Sequence, residues 1–200
     1  MNNVNYDKEM IKIISNLDYK PKLLLHSCCA PCSTAVIERL KDYFDITIIY
    51  YNPNIEPFDE YEKRKNEQIK IIKEYNLKYL DCDYENNVFH EMSKGLESIP
   101  ERGIRCHKCY RLRLLYTAKK AKENNFEFFS TTLTVSPYKL SNVINEIGLD
   151  LANIYNVTYL VSDFKKQNGY KRSIELSNKY NLYRQNYCGC IYSRDININE

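Results

Sequence analysis

Nowhere does this chain approach the roughly 18 consecutive apolar residues that a membrane-spanning helix needs, so no membrane partner is expected. Its opening residues, Met-Asn-Asn-Val-Asn-Tyr-Asp-Lys-Glu-Met, lack both the apolar centre and the small-residue cleavage site of a secretory signal. A cytoplasmic location is therefore expected, and structural disulfides are disfavoured there by the reducing environment. A net charge of +3 is too small to imply nucleic-acid binding by itself. No linker, internal repeat or low-complexity block divides the 200 residues, which predicts one domain over 1–200, with an N-terminal extension at 1–20 and a loose tail at 194–200. A chain of this length buries about 70% of its unfolded surface, so no covalent or metal staple is required to hold the core.

What the chain does have is cysteine in close groups. Seven of eight fall into three sets: Cys28, Cys29 and Cys32; Cys106 and Cys109; and Cys188 and Cys190. Cys82 stands apart and reads as structural. Thiols so spaced, outside a disulfide-forming compartment, bind metal, carry electrons, or do both.

The hydrophobic pattern alternates strands with helices. Residues 22–27, 46–51, 78–82, 126–133 and 157–161 read as strands. Residues 33–43, 60–75, 106–125, a segment ending near 152, and 169–180 read as helices, the first capped by Ser33 or Thr34. Leu112, Leu115, Ala118 and Ala121 offer a buried stripe for the third helix, and Val143, Ile144, Ile147 and Leu151 for the fourth. This alternation predicts an α/β fold with a parallel sheet and helices on both faces, whose ligands gather beyond the carboxyl ends of the strands. The Cys28 turn lies at such an end.

Each cysteine set admits more than one chemistry. Cys29-Ala-Pro-Cys32, between a strand and a helix, has the form of a thioredoxin-like dithiol, in which the helix N-terminus lowers a thiol pKa. The adjacent Cys28 and the two further pairs exceed what that motif needs. Cys106 and Cys109 suit zinc, an iron-sulfur centre or a redox dithiol; with Cys28 and Cys29 they make four thiolates, enough for a [4Fe-4S] cluster or one structural zinc. A disulfide between Cys188 and Cys190 would close a small strained ring that is easily reduced, so this set reads as a switching redox pair or as ligands to a second metal. His26 and His90 have no evident partner and read as packed or exposed, and His107 as solvent-facing. Eight basic residues lie between Glu101 and Glu123, and Lys165, Lys166, Lys171, Arg172, Arg184 and Arg194 accompany several tyrosines towards the end. Such mixtures can bind phosphates and stack bases, although solvated faces look the same.

From about Leu23 to Ser193 the chain resembles the QueH-type epoxyqueuosine reductases. The likeness rests on Leu-Leu-His-Ser-Cys-Cys-Ala-Pro-Cys-Ser (24–33), Tyr-Asn-Pro-Asn-Ile (51–55), Arg-Cys-His-Lys-Cys-Tyr-Arg-Leu-Arg (105–113), Thr-Thr-Leu-Thr-Val-Ser-Pro-Tyr-Lys (131–139), Asp-Phe-Lys-Lys (163–166) and Leu-Tyr-Arg-Gln-Asn-Tyr-Cys-Gly-Cys-Ile-Tyr-Ser (182–193). The resemblance implies the Rossmann-like fold of PP-loop (HUP-like) enzymes and reduction of the epoxide of epoxyqueuosine, at the wobble position of a tRNA anticodon loop, to queuosine. No Ser-Gly-Gly phosphate loop is present, which argues against ATP use. Carried over by position, Cys28, Cys29, Cys106 and Cys109 hold a [4Fe-4S] cluster, while Cys188 and Cys190 form a redox-active pair fed by an unidentified electron donor. In another arrangement only three cysteines hold the cluster, and Cys32 with the remaining thiols binds an adjacent mononuclear iron that polarises the epoxide oxygen. Arg105, Arg111, Arg184 and Tyr187 become candidate tRNA contacts, and Tyr187, Tyr192 and Asp163 candidate proton donors. Two other classes stay open: a thioredoxin-like oxidoreductase, and a zinc-stabilised tRNA-binding module without catalysis.

Overall fold

Residues 23–25 form a run of three leucines, and a run without polar alternation suits a strand covered on both faces. A computed structural model of the chain, describing residues 4–194, has this run at the centre of its sheet. The elements in order are α1 (Tyr6–Ser15), β1 (Lys22–His26), α2 (Ala30–Leu40), β2 (Asp45–Ile49), α3 (Phe58–Glu74), β3 (Lys78–Leu80), α4 (Asn86–Ser93), α5 (Ile104–Glu123), β4 (Phe128–Thr131), a 3-10 turn (Thr132–Val135), α6 (Ser141–Tyr155), β5 (Thr158–Tyr159), α7 (Gly169–Lys179) and α8 (Ile191–Arg194). The five strands pair in parallel in the order β3-β2-β1-β4-β5. The expected tail lies outside the described residues apart from Arg194, which closes α8.

Alternation along β1 sends Leu23 and Leu25 to one core and Leu24 to the other. The first core gathers Val36 and Ile37 from α2, Ile48 from β2, Ile71 from α3, and Phe164. The second gathers Leu114 and Ala118 from α5, Phe129 from β4, Ile144 from α6, and Tyr159. Within the stretch expected as an extension, α1 buries Met10 in the first core. No helix among the described residues is long and apolar enough to cross a membrane.

Three local expectations are corrected. Helix α2 starts at Ala30 rather than Ser33: Cys29 is its N-cap, in extended conformation, and Pro31 occupies the first turn, where its missing N–H leaves no bond unmade. Cys32 therefore lies inside the helix. Helix α5 buries Leu114 with Tyr110, Thr117, Ala118 and Ala121, while Leu115 is 36% exposed and Leu112 only half-buried. Hydropathy alone turns Arg113 to solvent; the helix turns it inward, which rotates the stripe. The fourth strand stops at Thr131, where the chain tightens into the 3-10 turn, and β5 is reduced to two residues.

Helix α6 approaches β5 closely at Gly148, where an added Cβ would meet the Tyr159 ring at 2.3 Å. Gly148→Ala is therefore expected to destabilise the protein by about 1–3 kcal/mol, the usual range for overpacking a core. Chemical denaturation of the two proteins measures it.

Candidate active site

The chain turns from β1 to β2 and β3 on one side, and later to β4 and β5 on the other. The carboxyl ends of β1 and β4 thus flank the place where strand order reverses, where open α/β sheets bind ligands. His26 ties this edge together. Its Nε2 lies 3.0 Å from the Tyr51 carbonyl, which can only accept, so Nε2 carries the proton and Nδ1 accepts from the Thr131 hydroxyl at 2.8 Å. Burial, followed by the Arg113 charge, pushes His26 down to about 4. A neutral, fully bonded ring is a strut for the turn that follows, and its partners, Tyr51 and Thr131, lie too far along the chain to be read from the sequence.

On that strut stands the first cysteine set. The Cys28 N–H donates to Thr132 Oγ1 at 3.1 Å, and the same hydroxyl donates to Cys28 Sγ at 3.3 Å. The sulfurs of Cys28, Cys29 and Cys32 all lie within 4.8 Å of one another. Hydrogen bonds from Cys29 and Cys32, with the Lys139 charge behind them, hold the Cys28 thiol well below the usual range. Cys29 is correspondingly pushed up to about 12, chiefly by its bond to Cys28.

A cavity of about 430 Å³ opens over this turn, within the size range of small-molecule sites. Cys28, Cys29 and Cys32 form part of its wall; Cys106 and Cys109 reach it from the first two turns of α5, and Cys188 and Cys190 from the loop after α7. Cys82 is not on the wall; it packs against the second core. All eight cysteines are free thiols in this structure, Cys188 and Cys190 included.

The second acidic thiol is Cys188. The Cys190 hydrogen bond foremost, then Lys139, Arg113 and Arg64, hold it well below the usual range against its burial. Lys139 Nζ stands 3.8 Å from Cys188 Sγ. Burial opposes the Lys139 charge, but the Cys188 and Cys28 thiolates outweigh it and keep the ammonium protonated. Between Cys188 and Cys190, Gly189 adopts φ +110°, and a Cβ there would come within 2.9 Å of Arg64 Nη1 and Ile55 Cγ1. Its carbonyl accepts from the Glu56 N–H at 2.8 Å, which fixes the Cys-Gly-Cys loop to the segment between β2 and α3.

The other sequence candidates divide. Arg105 touches the cavity, but it is buried, its Nη1 donates to the Leu96, Glu97 and Ile99 carbonyls, and its guanidinium lies over the Tyr192 ring. It is committed to holding the loop before α5 rather than presented to a phosphate. Arg111 is off the wall and pairs with Asp150 at 2.7 Å. Arg184 and Tyr187 do line the cavity; Arg184 donates to Ser177 Oγ at 3.0 Å and Tyr187 to the Glu56 carbonyl at 2.8 Å. Asp163, paired with Lys165, and Tyr192, bonded to Ser93, are not on the wall. His107 is half-buried rather than solvent-facing, with Nε2 enclosed. Lys139, Arg113 and Asn54 were missed as site residues, although each falls in a motif already singled out. Arg113 Nη2 and Arg64 Nη2 are buried on the cavity wall without a partner. Two such donors beside two acidic thiols suit an anionic group such as metal-bound thiolate and sulfide.

Comparison with known proteins gives a consistent picture. The family model described as Epoxyqueuosine reductase QueH matches residues 23–195. The epoxyqueuosine reductase QueH of Staphylococcus epidermidis is 47% identical, over 95% of this chain and 84% of that one. Its counterpart in Streptococcus pyogenes serotype M1 is 43% identical over 95% and 78%. Among solved structures, the U34-tRNA thiolase NcsA from Methanococcus maripaludis with its [4Fe-4S] cluster superposes with a TM-score of 0.57, at 13% identity, over 94% of this chain and 67% of that one. At that identity the likeness is one of fold.

Proposed function

Because the chain belongs to the epoxyqueuosine reductase QueH family, we propose that it reduces the epoxide of epoxyqueuosine in a tRNA anticodon loop to the alkene of queuosine. Removing the epoxide oxygen as water consumes two electrons and two protons. The observation that carries the site assignment is the convergence of three cysteine sets, distant in sequence, on one cavity beside Lys139 and Arg113.

Cys28, Cys29, Cys106 and Cys109 would hold a [4Fe-4S] cluster, which when bound supplies electrons one at a time. The closeness of Cys32 to Cys28 and Cys29 favours Cys32 as the substitute for one α5 ligand in a second assignment. Cys188 and Cys190 are the redox-active pair. Oxidation of this pair, one thiolate and one thiol, to a disulfide releases the two electrons that the deoxygenation requires and one proton, the Lys139 ammonium being the neighbouring source of the second. An external donor must then reduce the pair again. The Cys190 hydrogen bond, and then the Lys139 charge, keep the Cys188 sulfur anionic, and Cys190 carries the proton beside it.

The tRNA meets the wall through Arg184 and Tyr187. Arg184→Gln is expected to weaken tRNA binding several-fold and to lower the slope of log affinity against log salt by about one. A salt titration of both proteins measures it, and an unchanged slope removes Arg184 from the phosphate contacts.

Anaerobic purification tests the whole reading. The expected protein is coloured, carries about four iron and four acid-labile sulfide per chain, and converts epoxyqueuosine in tRNA to a nucleoside one oxygen atom lighter when given a chemical reductant. A colourless protein that reduces protein disulfides, or a zinc protein that binds tRNA and turns nothing over, would overturn it.

A further inference from the structure

The loop Tyr51-Asn52-Pro53-Asn54-Ile55, which follows β2, is bonded on every side but one. Asn52 Nδ2 donates to the Ser27 carbonyl at 2.8 Å, and Asn52 Oδ1 accepts from Arg113 Nη1 at 3.3 Å. Asn86 Nδ2 donates to the Pro53 carbonyl at 2.8 Å, and the Tyr84 hydroxyl to the Ile55 carbonyl at 2.7 Å. Asn54 sits between these anchors, wholly buried, on the wall of the cysteine cavity. Neither Nδ2 nor Oδ1 of its amide has a hydrogen-bond partner. A buried amide open at both ends loses the bonds it made to water, and this backbone cannot turn it away.

The unmet needs identify the missing partner. Turning the amide over exchanges nitrogen and oxygen and leaves one donor and one acceptor open either way. The sulfides and thiolates of an iron-sulfur cluster accept hydrogen bonds and donate none, so they can answer Asn54 Nδ2 but never Oδ1. Gln185 Oε1, buried and unpartnered on the same wall, is a second open acceptor. A hydroxyl both donates and accepts. Epoxyqueuosine carries its epoxide on a hydroxylated five-membered carbocycle, so the hydroxyls lie next to the reacting bonds.

We propose that Asn54 is a specificity-determining residue that exchanges hydrogen bonds with a carbocycle hydroxyl of epoxyqueuosine. The inference rests on the function proposed above. Asn54 thereby orients the epoxide in the cavity and discriminates the modified nucleoside from the guanosine it replaces. A trapped water could also answer the amide, and the test separates the two.

Asn54→Ala and Asn54→Ser are prepared anaerobically with their iron. Dissociation constants are measured for tRNA carrying epoxyqueuosine and for the same tRNA carrying guanosine at that position. The wild type is expected to prefer the epoxyqueuosine form, and Asn54→Ala to lose about tenfold of that preference, the worth of a hydrogen bond. Affinity for guanosine tRNA, iron content and visible spectrum should not change. Asn54→Ser, which keeps a hydroxyl on a shorter arm, decides the matter if the alanine variant does not fold. An unchanged preference, equal weakening towards both RNAs, a wild type without preference, or loss of iron in both variants overturns the proposal. A wild type that shows the preference yet leaves the epoxide intact sinks the proposed reaction and not this contact.

Discussion

Cys28→Ala, prepared without oxygen, is expected to lack the visible absorption and the iron of the wild type, and to turn over at least ~100-fold more slowly. Changes to groups that merely orient metal ligands already cost 10–100-fold. Cys28 sits at the reversal of strand order, its backbone and sulfur both fixed by Thr132, with Cys29 Sγ 3.9 Å away. It is also the thiol of its set that is held anionic, the form in which a cysteine binds metal. Alanine removes that charge while sparing the His26 strut and the fold below it. Cys82→Ala is the control: its thiol lies off the cavity wall, so iron and turnover should persist. A Cys28→Ala protein that is folded by thermal melt and carries its full iron and colour would remove Cys28 from the ligand set.

The fold was legible because hydropathy reports burial. The leucines at 23–25, the isoleucines of β2 and the intervening helices gave the parallel sheet and the edge on which ligands gather. Element ends were less legible, since caps are set by backbone geometry: a cysteine followed by Ala-Pro can open a helix as Cys29 does, without the Ser or Thr that usually marks one. Cysteine spacing gave the thiol sets, and resemblance gave their shared purpose. The arginines were the weak point. Arg105, Arg111 and Arg113 lie within nine residues and look alike on paper. One ties a loop together, one pairs with Asp150 at the surface, and one is turned into the cavity. Charge says that a side chain can meet an acceptor; only packing says whether that acceptor is a carbonyl, a carboxylate or a thiolate. Asn54 was invisible for a related reason, because its significance lies in bonds its neighbours make and it does not.

Cys190→Ser is expected to retain the iron and visible spectrum of the wild type and still lose at least ~100-fold in turnover, the low end of what a positioned proton donor contributes. The two thiols are unequal by design of their surroundings. Cys188 is the anion, favoured by the Cys190 hydrogen bond and by Lys139, and Cys190 keeps its proton, pushed up chiefly by that same bond. Oxidising the pair therefore releases one proton from Cys190 and leaves the Lys139 ammonium as the neighbouring source of the second. Serine preserves the size of the side chain and its reach to Ser193, but it cannot form a disulfide. Alkylation and mass measurement after a single turnover make the distinction direct: wild type should lose two alkylatable thiols at Cys188 and Cys190, and the variant none. If turnover survives in Cys190→Ser, the pair does not carry the electrons. If iron falls in proportion to activity, Cys190 is a metal ligand and the reducing equivalents enter elsewhere.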